Sequence, residues 1–167
     1  MVLQEPFLFS RSIAENISIA GEKVDMTAVR EASRAACLDE TVEGFTQGYD
    51  TFVGERGVTL SGGQKQRAAI ARTLMRRQPI MIFDDSLSAV DTETDAKIRA
   101  ELERRFGSAS IILISHRITT RAKAGQILVL DKGRIAERGT HDELVAANGI
   151  YRKIYDIQTA GAEEAAK

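Results

Sequence analysis

Residues 80–114 spell strand, helix, strand, and that unit constrains what the rest of the chain can build. Ile80-Met81-Ile82-Phe83 is a continuous apolar run, the pattern of a strand buried on both faces. Asp91 or Thr92 then caps a charged helix to about Arg105, with Glu93/Lys97 and Glu101/Arg105 spaced i, i+4. Ser110–Ile114 supplies a second buried strand. Such a unit predicts a mostly parallel sheet in an α/β layout.

The segment ahead of it is helical in pattern. Ser12-Ile13-Ala14-Glu15 reads as a capping box opening a short helix. Asp25 can cap a second helix to about Ala36. Gly44 to Thr59 is loop-rich, and Ser61-Gly62-Gly63-Gln64 is another capping box, opening a helix to about Arg77. Arg76 and Arg77 fall at its end, where the helix dipole favours cations. Behind the unit, Gln126–Leu130 and Arg134–Glu137 flank Asp131-Lys132-Gly133 as a hairpin. Thr140-His141-Asp142-Glu143 opens short helices that run to about Ile157. The expected division is residues 1–78, residues 79–158 and a frayed tail, 159–167.

Composition narrows the class. The 167 residues are 43% apolar and 28% charged, with a formal net charge of −1. That balance fits one globular domain and gives no support for a nucleic-acid partner held by charge. A single cysteine, Cys37, excludes an intrachain disulfide and fits a reducing compartment. No apolar run approaches the ~20 residues of a membrane-spanning helix, so no direct membrane insertion is expected. The first residues show no signal-peptide pattern.

Three features carry chemistry. In Leu60-Ser61-Gly62-Gly63-Gln64, two glycines at a capped helix start leave backbone N–H groups bare, a site suited to phosphate. An ordinary Gly-rich loop ahead of a helix has the same spelling. Asp84 and Asp85 end the first strand, at the sheet edge where α/β ligands sit. One carboxylate can hold Mg²⁺ through water while the next orients an attacking water; two acids that merely cap a turn would read the same. His116 follows the second strand and is expected at the same edge, where a neutral imidazole can donate to a phosphate oxygen. A lone histidine is also a common structural residue. His141, inside a capping box, reads as structural.

Gln4, Leu60–Gln64, Asp84-Asp85, Ser88-Ala89-Val90-Asp91 and His116 occur in the order of the Q-loop, signature motif, Walker B, D-loop and H-loop of ABC transporter nucleotide-binding domains. The chain resembles that family over about residues 2–157. Residues 5–9 and 12–17 look like the start of the helical subdomain of ABC exporters, and Thr51–Gly57 resembles the exporter X-loop. The resemblance implies a P-loop NTPase (ABC ATPase) fold, here a helical signature subdomain plus part of a RecA-like, mostly parallel sheet. It implies ATP and Mg²⁺ as ligands. Its expected partners are a second nucleotide-binding domain and the transmembrane domain of an exporter, at the cytoplasmic face of the plasma membrane. By the same resemblance, Ser61, Gly62 and Gly63, within Leu60–Gln64, hold the γ-phosphate of ATP carried by the partner. Gln4 senses Mg²⁺ and γ-phosphate, Asp84 positions Mg²⁺, His116 contacts the γ-phosphate, and Asp91 lies at the dimer seam.

The sequence departs from the family twice. Asp85 stands where the family usually has the glutamate that polarises water, as in the degenerate subunit of heterodimeric exporters. No G-x-x-x-x-G-K-[ST] occurs in the 167 residues, so the Walker A phosphate cradle and its lysine are not among them. The expectation is the C-terminal two-thirds or so of such a domain, without ATPase activity of its own. The strands ending at Asp84 and Gln4 are then expected to lack a partner, leaving backbone groups unpaired and apolar faces exposed. The other readings are a fragment that donates its signature loop in trans, or a truncated product with no function.

Overall fold

The structure is a computed structural model that describes residues 1–19, 23–54, 59–76 and 78–165. Their order is β1 (Arg11–Ser12), α1 (Ile13–Ser18), α2 (Met26–Ala35), α3 (Asp39–Glu43), a 3-10 turn (Gly48–Asp50), β2 (Phe52–Val53) and α4 (Gly62–Leu74). Then come β3 (Ile80–Asp84), α5 (Thr92–Phe106), β4 (Ser110–Ile114), α6 (Ile118–Arg121), β5 (Ile127–Asp131), β6 (Arg134–Gly139), α7 (His141–Ala146) and α8 (Ile150–Ala165). They form two compact units, Met1–Ile114 and Ser115–Lys167.

In the first unit, caps place the helices where the sequence predicts. Ser12 and Glu15 close a reciprocal capping box on α1, and Asp25 accepts from the N–H groups of Thr27 and Ala28 at the start of α2. Each satisfies backbone donors that a helix start leaves orphaned. Ser61 and Gln64 make the third box, on α4. That helix ends at Leu74 rather than near Arg77, close to Pro79, which disfavours helix in the residue before it. Arg77 lies outside the described residues.

The apolar stripes of α1, α2 and α4 bury Ile13, Ile17, Val29, Ile70 and Leu74 in one core with Met81, Phe83, Ile98 and Leu102. Arg72, half-buried on α4, ties this core to the residues before α1. It donates to the carbonyls of Asn16 (2.8 Å) and Phe7 (3.0 Å) and to Asn16 Oδ1 (3.1 Å).

β3 and β4 pair in parallel, with Ile80 beside Ser110 and Asp84 beside Ile114. On its other edge β3 is met by Val2, whose N–H donates to the Ile82 carbonyl (2.8 Å) and whose carbonyl accepts from Asp84 N–H (2.9 Å). The expectation that the strand ending at Asp84 lacks a neighbour is therefore wrong. The first residues of the chain reach it in parallel register and satisfy those groups. Among the described residues β3 and β4 form a two-stranded sheet, and Val2 meets the free edge of β3 as an isolated bridge.

Burial on both faces is also corrected. Met81 and Phe83 are buried, whereas Ile80, Ile112 and Ile114 are 59%, 48% and 47% exposed. Alternate side chains of a strand point to opposite faces, and only the Met81 and Phe83 face packs into the core here. The apolar run is continuous because both faces are apolar, not because both are covered.

The second unit holds an antiparallel hairpin, β5 and β6, turning through Lys132 and Gly133 at positive φ, as the Asp131-Lys132-Gly133 reading predicts. Thr140 and Glu143 form a capping box on α7. The His141 Nδ1 lies 2.8 Å from the Tyr151 hydroxyl in a small core with Ile127, Val129 and Leu144, the structural role expected of it. No helix among the described residues is long and apolar enough to cross a membrane.

Candidate functional site

The glycine pair sits at the first turn of α4. Leu60 is buried and anchors the loop, whereas Ser61 and Gly62 are exposed. Ser61 Oγ accepts from the Gln64 N–H (3.3 Å), and Gln64 Oε1 accepts from the Ser61 N–H (2.8 Å). A Cβ on Gly62 would meet nothing within 4 Å, so its backbone faces open space. A Cβ on Gly63 would lie 2.9 Å from the Ala89 carbonyl oxygen. The two glycines therefore serve different ends. Gly62 leaves room beside a positive helix end, a place for an anion, and Gly63 lets α4 approach the backbone of the Ser88–Asp91 turn.

That turn begins at the acidic pair. Asp84 ends β3, and both Asp84 and Asp85 are half-buried. Asp85 has φ +43°, a left-handed conformation that Asp tolerates better than most residues. Its N–H donates to the Ile114 carbonyl (2.8 Å) and its carbonyl accepts from Ser88 N–H (3.1 Å). The chain thus leaves the strand by a sharp bend held on both sides. Asp91 caps α5 by accepting from the Thr94 N–H (2.9 Å). That bond, with the Thr94 hydroxyl second, holds its carboxyl below the ordinary Asp range.

Gln4 is exposed, and its carbonyl accepts from Gln66 Nε2 (3.0 Å). The first unit therefore brings Gln4, Ser61–Gln64 and the Ser88–Asp91 turn around the start of α4. His116 is exposed and belongs to the second unit, where its carbonyl accepts from Gln158 (2.6 Å) and Arg121 (2.9 Å). Thr51–Gly54 includes β2, which pairs with β1. Glu55, Arg56 and Gly57 lie outside the described residues.

Among the described residues no three His, Cys, Asp or Glu side chains gather as a metal cage. The hard oxygens of Asp84 and Asp85 fit Mg²⁺ in its usual form, held by one or two carboxylates, waters and substrate phosphates. Gln66 was not singled out by its sequence. It stands in the polar run Gln64-Lys65-Gln66-Arg67, and the available signal is helical spacing from Ala69 and Ile70, both buried.

A glycine-rich capped helix start beside a strand that ends in two carboxylates, on a parallel α/β frame, is an arrangement found in nucleotide-binding ATPase domains. The model of the ABC transporter family matches residues 1–88, and the chain belongs to that family. It is 46% identical over 158 residues to an uncharacterized ABC transporter ATP-binding protein, YknU, of Bacillus subtilis, covering 95% of this chain and 27% of that protein. An ATP-dependent lipid A-core flippase of Mannheimia succiniciproducens is 43% identical over 162 residues, 96% of this chain and 28% of its own. A bacterial Atm1-family ABC exporter solved with ATP bound matches 94% of this chain and 28% of its own, at 41% identity and a TM-score of 0.90. The chain thus spans about a quarter of the length of these relatives and carries part of the ABC ATPase fold.

Proposed function

We propose that this chain supplies the signature-loop side of an ATP site shared between two nucleotide-binding domains of an exporter, at the cytoplasmic face of the membrane. The observation that carries this is the start of α4. Its Ser61–Gln64 box leaves Gly62 open, while Gly63 is packed against the turn that leads from Asp85 to Asp91. In this reading Ser61, Gly62 and Gly63, held by Leu60 and Gln64, bind the γ-phosphate of ATP carried by the partner domain through N–H groups and the helix dipole. Gln4 senses Mg²⁺ and γ-phosphate and reports their state to the transmembrane domain. Asp84 holds Mg²⁺ through water, which screens phosphate charge when bound. Asp85 orients the attacking water, His116 donates to a γ-phosphate oxygen, and Asp91 lines the seam between domains.

Asp85 favours the weaker half of an unequal pair. Aspartate is one C–C bond, roughly 1.5 Å, shorter than glutamate, and the intact Ser61–Gln64 box serves the partner's competent site. ATP hydrolysis by these 167 residues alone is not expected. The test is stimulation of an intact nucleotide-binding partner by this chain, measured as phosphate release. Ser61→Arg should abolish the stimulation by filling the open cradle. Absence of stimulation by the unmodified chain, or full stimulation by the variant, would overturn the proposal.

A further inference from the structure

Gln66 lies in the second turn of α4 and is 4% exposed. A buried amide must find partners for both its ends, and this one finds them on two distant stretches of backbone. Nε2 donates to the Gln4 carbonyl (3.0 Å), and Oε1 accepts from the Ala89 N–H (3.2 Å). Only this orientation of the amide satisfies both. The Ala89 carbonyl is pressed toward Gly63, where a Cβ would stand 2.9 Å away. Ala89 is thus bonded to α4 through its N–H, and its carbonyl lies close against the helix at Gly63.

The two stretches are also joined through β3. Val2, two residues before Gln4, bonds to Ile82 and Asp84, and Ala89 follows five residues after Asp84. The amide therefore closes a ring of backbone: Val2 to Gln4, across Gln66 to Ala89, and back through Asp84 to Val2. We infer that Gln66 is a positioning residue that passes a displacement of the backbone at Gln4 to the Ser88–Asp91 turn. The tie needs one donor and one acceptor on a side chain of this length. Glu keeps the acceptor and loses the donor, Lys and Arg do the reverse, Leu loses both, and Asn is too short to span the gap. The mechanical tie stands on this geometry. Its meaning, communication from the phosphate-sensing Gln4 to the seam at Asp91, rests on the proposed function.

The test is amide hydrogen exchange at Ala89 in the full chain without nucleotide, so it is independent of whether the chain acts on ATP. Gln66→Leu should speed exchange there about tenfold, the loss of one hydrogen bond. Gln66→Glu keeps the Ala89 acceptor and should restore most of the protection. Leu3→Gly loosens the backbone beside Gln4 at a half-exposed side chain. It should speed Ala89 exchange when residue 66 is Gln and have no such effect beside Gln66→Glu, where the link to Gln4 is cut. If Gln66→Leu does not fold, the Leu3→Gly pair decides by itself. Unchanged Ala89 exchange in Leu3→Gly, or an equal effect of Leu3→Gly in both backgrounds, overturns the inference.

Discussion

Gly62 and Gly63 are neighbours with the same spelling, yet the structure assigns them opposite tolerance to a methyl group. An added Cβ at Gly63 stands 2.9 Å from the Ala89 carbonyl oxygen, against 3.4–4 Å for ordinary contact, so something must move by about half an ångström. The obstacle is backbone, and that backbone is pinned by Gln66. Overpacking of this kind costs about 1–3 kcal/mol. Replacing Gly in a helix returns up to about 1 kcal/mol. Gly62→Ala meets no atom and should be neutral or stabilising by up to about 1 kcal/mol. Both variants regain that helix term, so Gly63→Ala should be less stable than Gly62→Ala by the overpacking alone, about 1–3 kcal/mol. With a urea slope of about 2 kcal/mol/M, its midpoint should lie roughly 0.5–1.5 M below that of Gly62→Ala. Urea unfolding of the two variants side by side is the assay. Equal midpoints would refute the close approach, and with it the claim that Gly63 exists for packing while Gly62 exists for open space.

Two further outcomes follow from the acidic turn and from the core. Asp85→Glu in an assembled pair restores reach toward the phosphate. It should raise the turnover of the site that this residue serves, on the order of 10²-fold if about 1 Å of misplacement is the defect; unchanged phosphate release would remove the argument from side-chain length. Tyr49 is pushed up to about 12, first by burial and then by donating to Asp39 Oδ1 (2.5 Å). Its neutral form is favoured in the fold, so its contribution to stability is full below the ordinary Tyr value of about 10 and is lost as pH rises through about 12. Phenolate absorbance against pH should show a late step that Tyr49→Phe removes, and three tyrosines titrating together would contradict the burial.

Local chemistry was legible in the sequence because capping and turn formation are settled within a few residues. Ser12, Asp25, Ser61, Asp91 and Thr140 each cap the helix expected of them, and Lys132-Gly133 turns the expected hairpin. The order of Gln4, Leu60–Gln64, Asp84-Asp85 and Ser88–Asp91 was enough to place the chain in its family. The exposure of Ile80, Ile112 and Ile114 was not legible, since an apolar run spells its hydrophobicity and not what covers it.

What the sequence alone determined is where helices and strands start and which side chains carry charge or bare N–H groups. These depend on contacts three or four residues apart. Only the tertiary structure decided that Val2 completes the pairing of β3, that Gly63 is a packing glycine and Gly62 an open one, and that Gln66 joins Gln4 to Ala89. Those contacts span 23 to 82 residues of chain, with Gln66 reaching 62 residues back to Gln4 and 23 forward to Ala89. No local pattern encodes such pairs; they exist because one core brings the chain's first residues, α4 and β3 together.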